Sequence, residues 1–238
     1  MFAPLLIASL LSGTSFQCDA EASVLQAKYT IDVSYHGETQ KTLAMNLWRD
    51  NNNVAHQYPQ TQITEAWTLV RNTLIKPTRY FDGHQRAIEY QPGESIHGEV
   101  ESDWPYRYQL VSETFFDQLT KVSESGSGCE VIQTFEKNTD DGIVSLSWLP
   151  ALNLISSFTV SQAGIEKHWS LNSVSHDKTM IDAFFDARAD YKSTDYADIG
   201  DDHTDPFLTN MVNQGFIEAG ASGFYNQHGQ AISGGHSH

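Results

Sequence analysis

The side chains best suited to chemistry lie near the C-terminal end of the sequence. Asp195, Asp198, Asp201, Asp202 and Asp205 place five carboxylates within eleven residues. Hard cations such as Ca²⁺ take six to eight oxygen ligands, and a glycine-bent acidic loop can supply several. The spacing is not that of an EF-hand, and Asp205, directly before Pro206, also suits the cap of a helix start. The plainer reading is a solvated acidic approach to a helix. The alternative is a metal site with Asp198, Asp201, Asp202 and His203 as ligands. His203, His228, His236 and His238 form a second set. Neutral imidazoles bind Cu²⁺ or Zn²⁺, but a terminal segment must be ordered to do so, and residues 231–238 read as a flexible His-containing tail.

Motifs for nucleophilic or phosphate chemistry are missing: there is no G-x-S-x-G, no H-E-x-x-H and no P-loop. The expectation is therefore a protein that is not an enzyme and needs no cofactor. What remains is a set of aromatic residues on or beside predicted strands. Aromatics bury well in sheets, so most of them belong to the core. In a curled sheet, however, the enclosed face is both core and cavity. Tyr29, Trp48, Trp67, Trp148 and Trp169 are the candidate lining of an apolar cup, the ordinary kind of small-ligand site.

The chain that must position these residues has 238 of them, 39% hydrophobic, 11% aromatic and 18% charged. That composition is of a folded chain, not a disordered one. Fourteen Lys and Arg stand against 30 Asp and Glu, a formal charge of −16. Such a surface repels phosphate backbones and argues against nucleic acid as a partner. Residues 2–11, FAPLLIASLL, are apolar and uncharged. They are too short for a membrane span but suit the apolar region of a secretory signal peptide. We expect residues 1–17 to be that peptide, the mature chain to be periplasmic or secreted, and no transmembrane segment to remain in it. Two cysteines, Cys18 and Cys129, then permit one disulfide in an oxidising compartment. Ser15 and Gln17 occupy the positions where a lipid-attachment motif needs Leu and a small residue. A bond closing so long a loop contributes on the order of 4 kcal/mol in the chain-entropy model.

Periodicity predicts strand after strand. Tyr29, Ile31, Val33 and Tyr35 alternate with polar residues, His36-Gly37 turns, and Leu43, Met45 and Leu47 return. Shorter runs follow at Trp67–Leu69, Tyr80-Phe81 and Arg86–Tyr90. After a predicted helix from Ser112, with Phe115, Leu119 and Val122 on one face, strands resume around Val131–Phe135, Val144–Trp148, Phe158-Val160 and Trp169–Leu171. Met180, Phe184, Ala187 and Tyr191 have helical spacing, and Asp205-Pro206 opens another predicted helix whose Phe207 side should dock on the sheet. The fold class is mainly β with a few helices, a curled antiparallel sheet or half-barrel, in a single β-rich domain over residues 18–230.

This order of elements over residues 28–175 resembles the periplasmic lipoprotein-carrier (LolA/LolB-like) type, and the tail TDYADIGDDHTDPFL resembles tails of exported bacterial proteins. The carrier resemblance implies an open half-barrel with helices at its mouth and an apolar cup for acyl chains. Together these readings lead to an exported soluble binding protein for an apolar small molecule or lipid. Two alternatives are a Ca- or Cu/Zn-binding periplasmic protein and an accessory subunit docking on an outer-membrane protein.

Overall fold

A computed structural model describes residues 21–96, 99–140, 142–199 and 205–207. The chain opens with two long strands, β1 (Val24–Tyr35) and β2 (Glu38–Asp50). They are followed by β3 (Asn53–Tyr58), β4 (Ile63–Val70), β5 (Leu74–Phe81) and β6 (Arg86–Glu89). A small hairpin, β7 (Ser95–Ile96) and β8 (Glu99–Val100), leads into two short helices, α1 (Trp104–Gln109) and α2 (Glu113–Phe116). Then come β9 (Thr120–Ser125), β10 (Ile132–Thr139), β11 (Gly142–Leu149), β12 (Leu154–Gln162) and β13 (Ile165–Ser175). Helix α3 (Lys178–Ala189) and strand β14 (Lys192–Asp195) complete the described elements.

Twelve strands form one curled sheet that does not close, in the order β14-β6-β5-β4-β3-β2-β1-β13-β12-β11-β10-β9. The fold class is therefore mainly β, as the alternation predicts. Local turns explain most of the order. His36 and Gly37 have φ of 50° and 82°, and Ala163 and Gly164 have 51° and 77°. Two successive positive φ values make the turn whose twist matches a two-residue hairpin, so β1 joins β2 and β12 joins β13 without a detour. The long-range step is β1 against β13, with Tyr29 opposite Leu171 and Ile31 opposite Trp169.

Each face of the sheet has its own cover. The inner face is the one that carries α1 and α2. It is built by Leu25, Ala27, Tyr29 and Ile31 of β1, Met45 and Leu47 of β2, and Leu146, Trp148, Phe158 and Trp169 of the far strands, packed with Leu110, Val111 and Phe115. The short helices hold their places by capping. The Asp103 carboxylate accepts from the Tyr106 amide at 2.9 Å, with Pro105 just inside, and Ser112 Oγ accepts from the Phe115 amide at 3.1 Å. On the outer face, α3 lays Ile181 and Phe184 over Trp48, Ala55 and Ala66. Strand β14 then returns parallel to β6, with Lys192 opposite Arg86.

Four local features differ from the sequence reading. The helix at Ser112 stops at Phe116, because Gln118 and Leu119 turn back onto the Phe115 and Phe116 carbonyls. Val122 consequently lies on edge strand β9, 51% exposed, not on a helix face. Strand β3 and helix α1 hide in polar or aromatic text, and β14 is a four-residue parallel edge strand that alternation does not mark. Of the predicted tail helix, Asp205–Phe207 are described, and the rest lies outside the described residues. Phe207 packs on Phe81 at 5.2 Å between ring centroids, and Asp205 pairs with Arg86 at 2.6 Å.

Candidate functional site

Cross-strand register assembles the floor of the inner face. Leu43, Ile31, Trp169, Phe158, Leu146 and Phe135 are successive partners across β2, β1, β13, β12, β11 and β10, one apolar residue from each strand. Ile31, Trp169, Phe158 and Leu146 of this row are buried, and α2 supplies part of the cover. Phe115 meets Phe158 edge-on at 6.1 Å, and Phe116 meets Phe135 at 4.7 Å and Trp148 at 5.3 Å. Beyond the cover the apolar face continues. Leu43, Phe135 and Val160 are half-buried against the core, and at the hairpin tips Tyr35 is 50% and Ile165 42% exposed. Tyr35 and Ile165 are register partners and share the face of Ile31 and Trp169.

The other end of the inner face is polar and buried, which the sequence reading did not foresee. Arg49 is fully buried. Its guanidinium donates to the carbonyls of Tyr108 (2.9 and 2.6 Å), Ala22 (3.0 Å), Leu152 (2.7 Å) and Asn153 (2.7 Å), and lies 3.9 Å from the Tyr108 ring centroid. One side chain thus ties the entry to β1, the end of α1 and the β11–β12 turn together. Burial lowers the Arg49 pKa to about 10, which leaves it charged at neutral pH. Its partners are carbonyl dipoles, which satisfy the donors of a buried cation.

Next to it, His56 Nε2 lies 2.8 Å from the Arg107 carbonyl. A carbonyl only accepts, so Nε2 carries the proton and Nδ1 is the bare nitrogen. Burial, with the charge of Arg107 beside it, lowers the His56 pKa to about 3, and the imidazole is neutral. Arg107 is held by Glu101 and sits 4.3 Å over the Trp67 ring. Arg79 and Glu65 pair at 2.6 Å across β5 and β4. The Tyr58 and Tyr106 hydroxyls and His56 Nδ1 are buried without a hydrogen-bond partner among the described residues. Burial pushes both phenols up, so they stay protonated. No sequence motif marks this cluster; the only sign is His56 and Glu65 standing at the inward alternation of β3 and β4.

The five predicted cup residues separate into three places. Tyr29, Trp148 and Trp169 are together on the inner floor, with Tyr29 and Trp169 6.2 Å apart edge-on and the Tyr29 hydroxyl donating to the Ile155 carbonyl at 2.9 Å. Trp67 belongs to the polar end, 4.7 Å from the His56 ring. Trp48 lies on the outer face under α3. Among the predicted metal ligands, Asp198 ends a short 3-10 turn; Asp201, Asp202 and His203 lie outside the described residues. Among the described residues no three His, Cys, Asp or Glu side chains form a metal-holding group. Cys129 lies in the turn Gly128–Glu130 ahead of β10, and Cys18 lies outside the described residues. No helix among them is long and apolar enough to cross a membrane.

No family model and no curated protein matches the chain. Solved structures with which it shares similarity include PNGF-II in two crystal forms. One aligns with a TM-score of 0.41 and 9% identity over 80% of this chain, the other with 0.39 and 10% over 75%. The chain spans about a third of the length of PNGF-II, 33% in each case. A LolA superfamily protein from Nitrosomonas europaea aligns with a TM-score of 0.26 and 8% identity, over 66% of this chain and 89% of that one. At TM-scores below 0.5 none of these likenesses assigns an activity.

Proposed function

We propose that the protein is an exported, non-enzymatic binding protein that takes an apolar or lipid-like ligand on the inner face of its sheet. The observation that carries this reading is an apolar floor that runs on past its cover. Burying one large apolar side chain contributes roughly 1.5–3 kcal/mol. A face that leaves Leu43, Phe135 and Val160 half-buried and Tyr35 and Ile165 open therefore gains from an apolar occupant. Part of the cover is two helices of six and four residues, short elements that an acyl chain shifts to reach the buried part of the floor.

Native mass spectrometry of the protein and titration with a fluorescent fatty acid test the reading. The expected result is one saturable site, lost in Val160→Asp, which puts a charge on the floor. Absence of any apolar ligand at accessible concentrations overturns it.

A further inference from the structure

The register of the sheet places three lysines in one line on the inner face. Lys41 is opposite Val33, Val33 is opposite Lys167 on its other side, and Lys167 is opposite Val160. One step past the pair Ser145 and Thr159, Val160 neighbours Val144, and Val144 is opposite Lys137. Read across six strands, the row is Lys41, Val33, Lys167, Val160, Val144, Lys137. It is adjacent to the wholly apolar row of Leu43, Ile31, Trp169, Phe158, Leu146 and Phe135, which ends at Lys121 on β9, opposite Phe135. The chain has eight lysines and a net charge of −16. Three lysines in a single row that contains no carboxylate is the reverse of its overall balance.

We propose that Lys41 and Lys167, with Lys137 adding positive charge from further along the same row, form a headgroup subsite for an anionic amphiphile, a single acyl chain ending in a carboxylate or phosphate. This rests on the apolar-cup reading and adds the chemistry of the ligand's polar end. The chain lies along the apolar row toward Phe115 and Phe116, and the anion lies at the lysine row. Lys41 and Lys167 flank Val33 two strand spacings apart, about 10 Å, a gap that two extended lysine side chains close on one anion. Neither ammonium has a hydrogen-bond or ion-pair partner among the described residues, so neither must be released first. Lys137 donates to Gln118 Oε1 at 2.6 Å, which links the row to the segment that follows α2. The nearby carboxylates do not neutralise the row. Glu124 is engaged with Lys121, and Glu136 and Glu166 alternate to the opposite face from Lys137 and Lys167. Glu38, on the same face one row nearer the hairpin tip, opposite Tyr35, makes no ion pair with Lys41 among the described residues.

Calorimetric titration of the full chain with dodecanoate, dodecyl phosphate, dodecanol and dodecyltrimethylammonium, each below its micelle concentration, tests this. One or both anions should bind at least tenfold more tightly than dodecanol, with the ammonium weakest, and the better anion names the headgroup. The preference should shrink as salt rises from 50 to 500 mM through screening. Lys41→Gln/Lys137→Gln/Lys167→Gln should abolish the preference and leave dodecanol binding unchanged, which also shows that the variant is folded. Equal binding of anions and dodecanol, or a preference that survives in the triple variant, overturns the subsite while leaving the cup intact. Failure of all four to bind overturns the cup itself.

Discussion

Trp48 stacks on Phe184 with ring centroids 3.9 Å apart and planes 10° from parallel. The contact fastens α3 to the outer face of β2, and it explains why Trp48 is absent from the floor that holds Tyr29 and Trp169. Leu47 and Arg49, its neighbours in sequence, point inward. Phe184→Ala should cost about 3–5 kcal/mol, the usual range for a large aromatic truncated in a core. A double-mutant cycle with Trp48→Ala, read by urea denaturation, should give a coupling of about 0.5–1.5 kcal/mol. Additive single effects would show that α3 is held by its other contacts.

Arg49→Met should destabilise the protein by on the order of 3 kcal/mol, because the buried Leu152 carbonyl and the part-buried carbonyls of Tyr108, Ala22 and Asn153 lose their donor and a buried orphan costs about 1–3 kcal/mol. Arg49→Lys should recover little, since three donors cannot span carbonyls fanned around a guanidinium plane. A denaturation midpoint in Arg49→Lys close to that of the parent would contradict this.

The neutral His56 makes stability depend on pH in a defined window. Its folded pKa, about 3, lies below the ordinary 6.5, so between those values the unfolded chain binds the extra proton. Stability from this group is full above about pH 6.5 and falls as pH drops toward 3, with a slope approaching about 1.4 kcal/mol per pH unit. Denaturant unfolding from pH 7 to pH 4 should show this component in the parent and not in His56→Gln. Equal slopes in the two proteins would mean that the imidazole is already protonated in the fold.

Cys18 and Cys129 are expected to be linked in the mature protein. Intact mass without reductant should be two hydrogens lower than after reduction. A mature N-terminus beyond Cys18 would end the idea.

Asp205 and Phe207 both engage Arg86, the one through a 2.6 Å ion pair and the other with its ring 4.7 Å from the guanidinium carbon. Ending the chain at Ile199 strips a mostly buried arginine of both partners. The shortened protein should melt several degrees lower. An unchanged melting temperature would make the segment from Gly200 an appendage, with no part in holding the sheet.

The hairpins were legible because their turns are spelled out by His36-Gly37 and Ala163-Gly164 and their strands alternate cleanly. Strand β3 was not, because NVAHQY puts a histidine on its buried side and reads as polar. Strand β9, TKVSES, is exposed along its whole length and carries no core pattern at all. The aromatic floor was half legible for a related reason. With α1 and α2 on one face and α3 on the other, apolar residues at both alternations of β2 are buried, and composition does not say whether Leu47 or Trp48 faces inward. The lysine row could not be read from spacing, since Lys41, Lys137 and Lys167 become neighbours only once six strands are in register.

That β1 is paired on both sides has a kinetic side. Its bonds to β2 need only a two-residue turn, whereas its seam with β13 joins residues such as Thr30 and Asn172, 142 positions apart. Closing so long a loop is slow compared with forming a hairpin. The two wings of the sheet can each form hairpins early, and β1 then waits with one bare edge. Until residue 175 arrives, that edge and the apolar residues beside it invite pairing with another chain. The wait before β13 docks is thus the stage at which the chain is most open to aggregation.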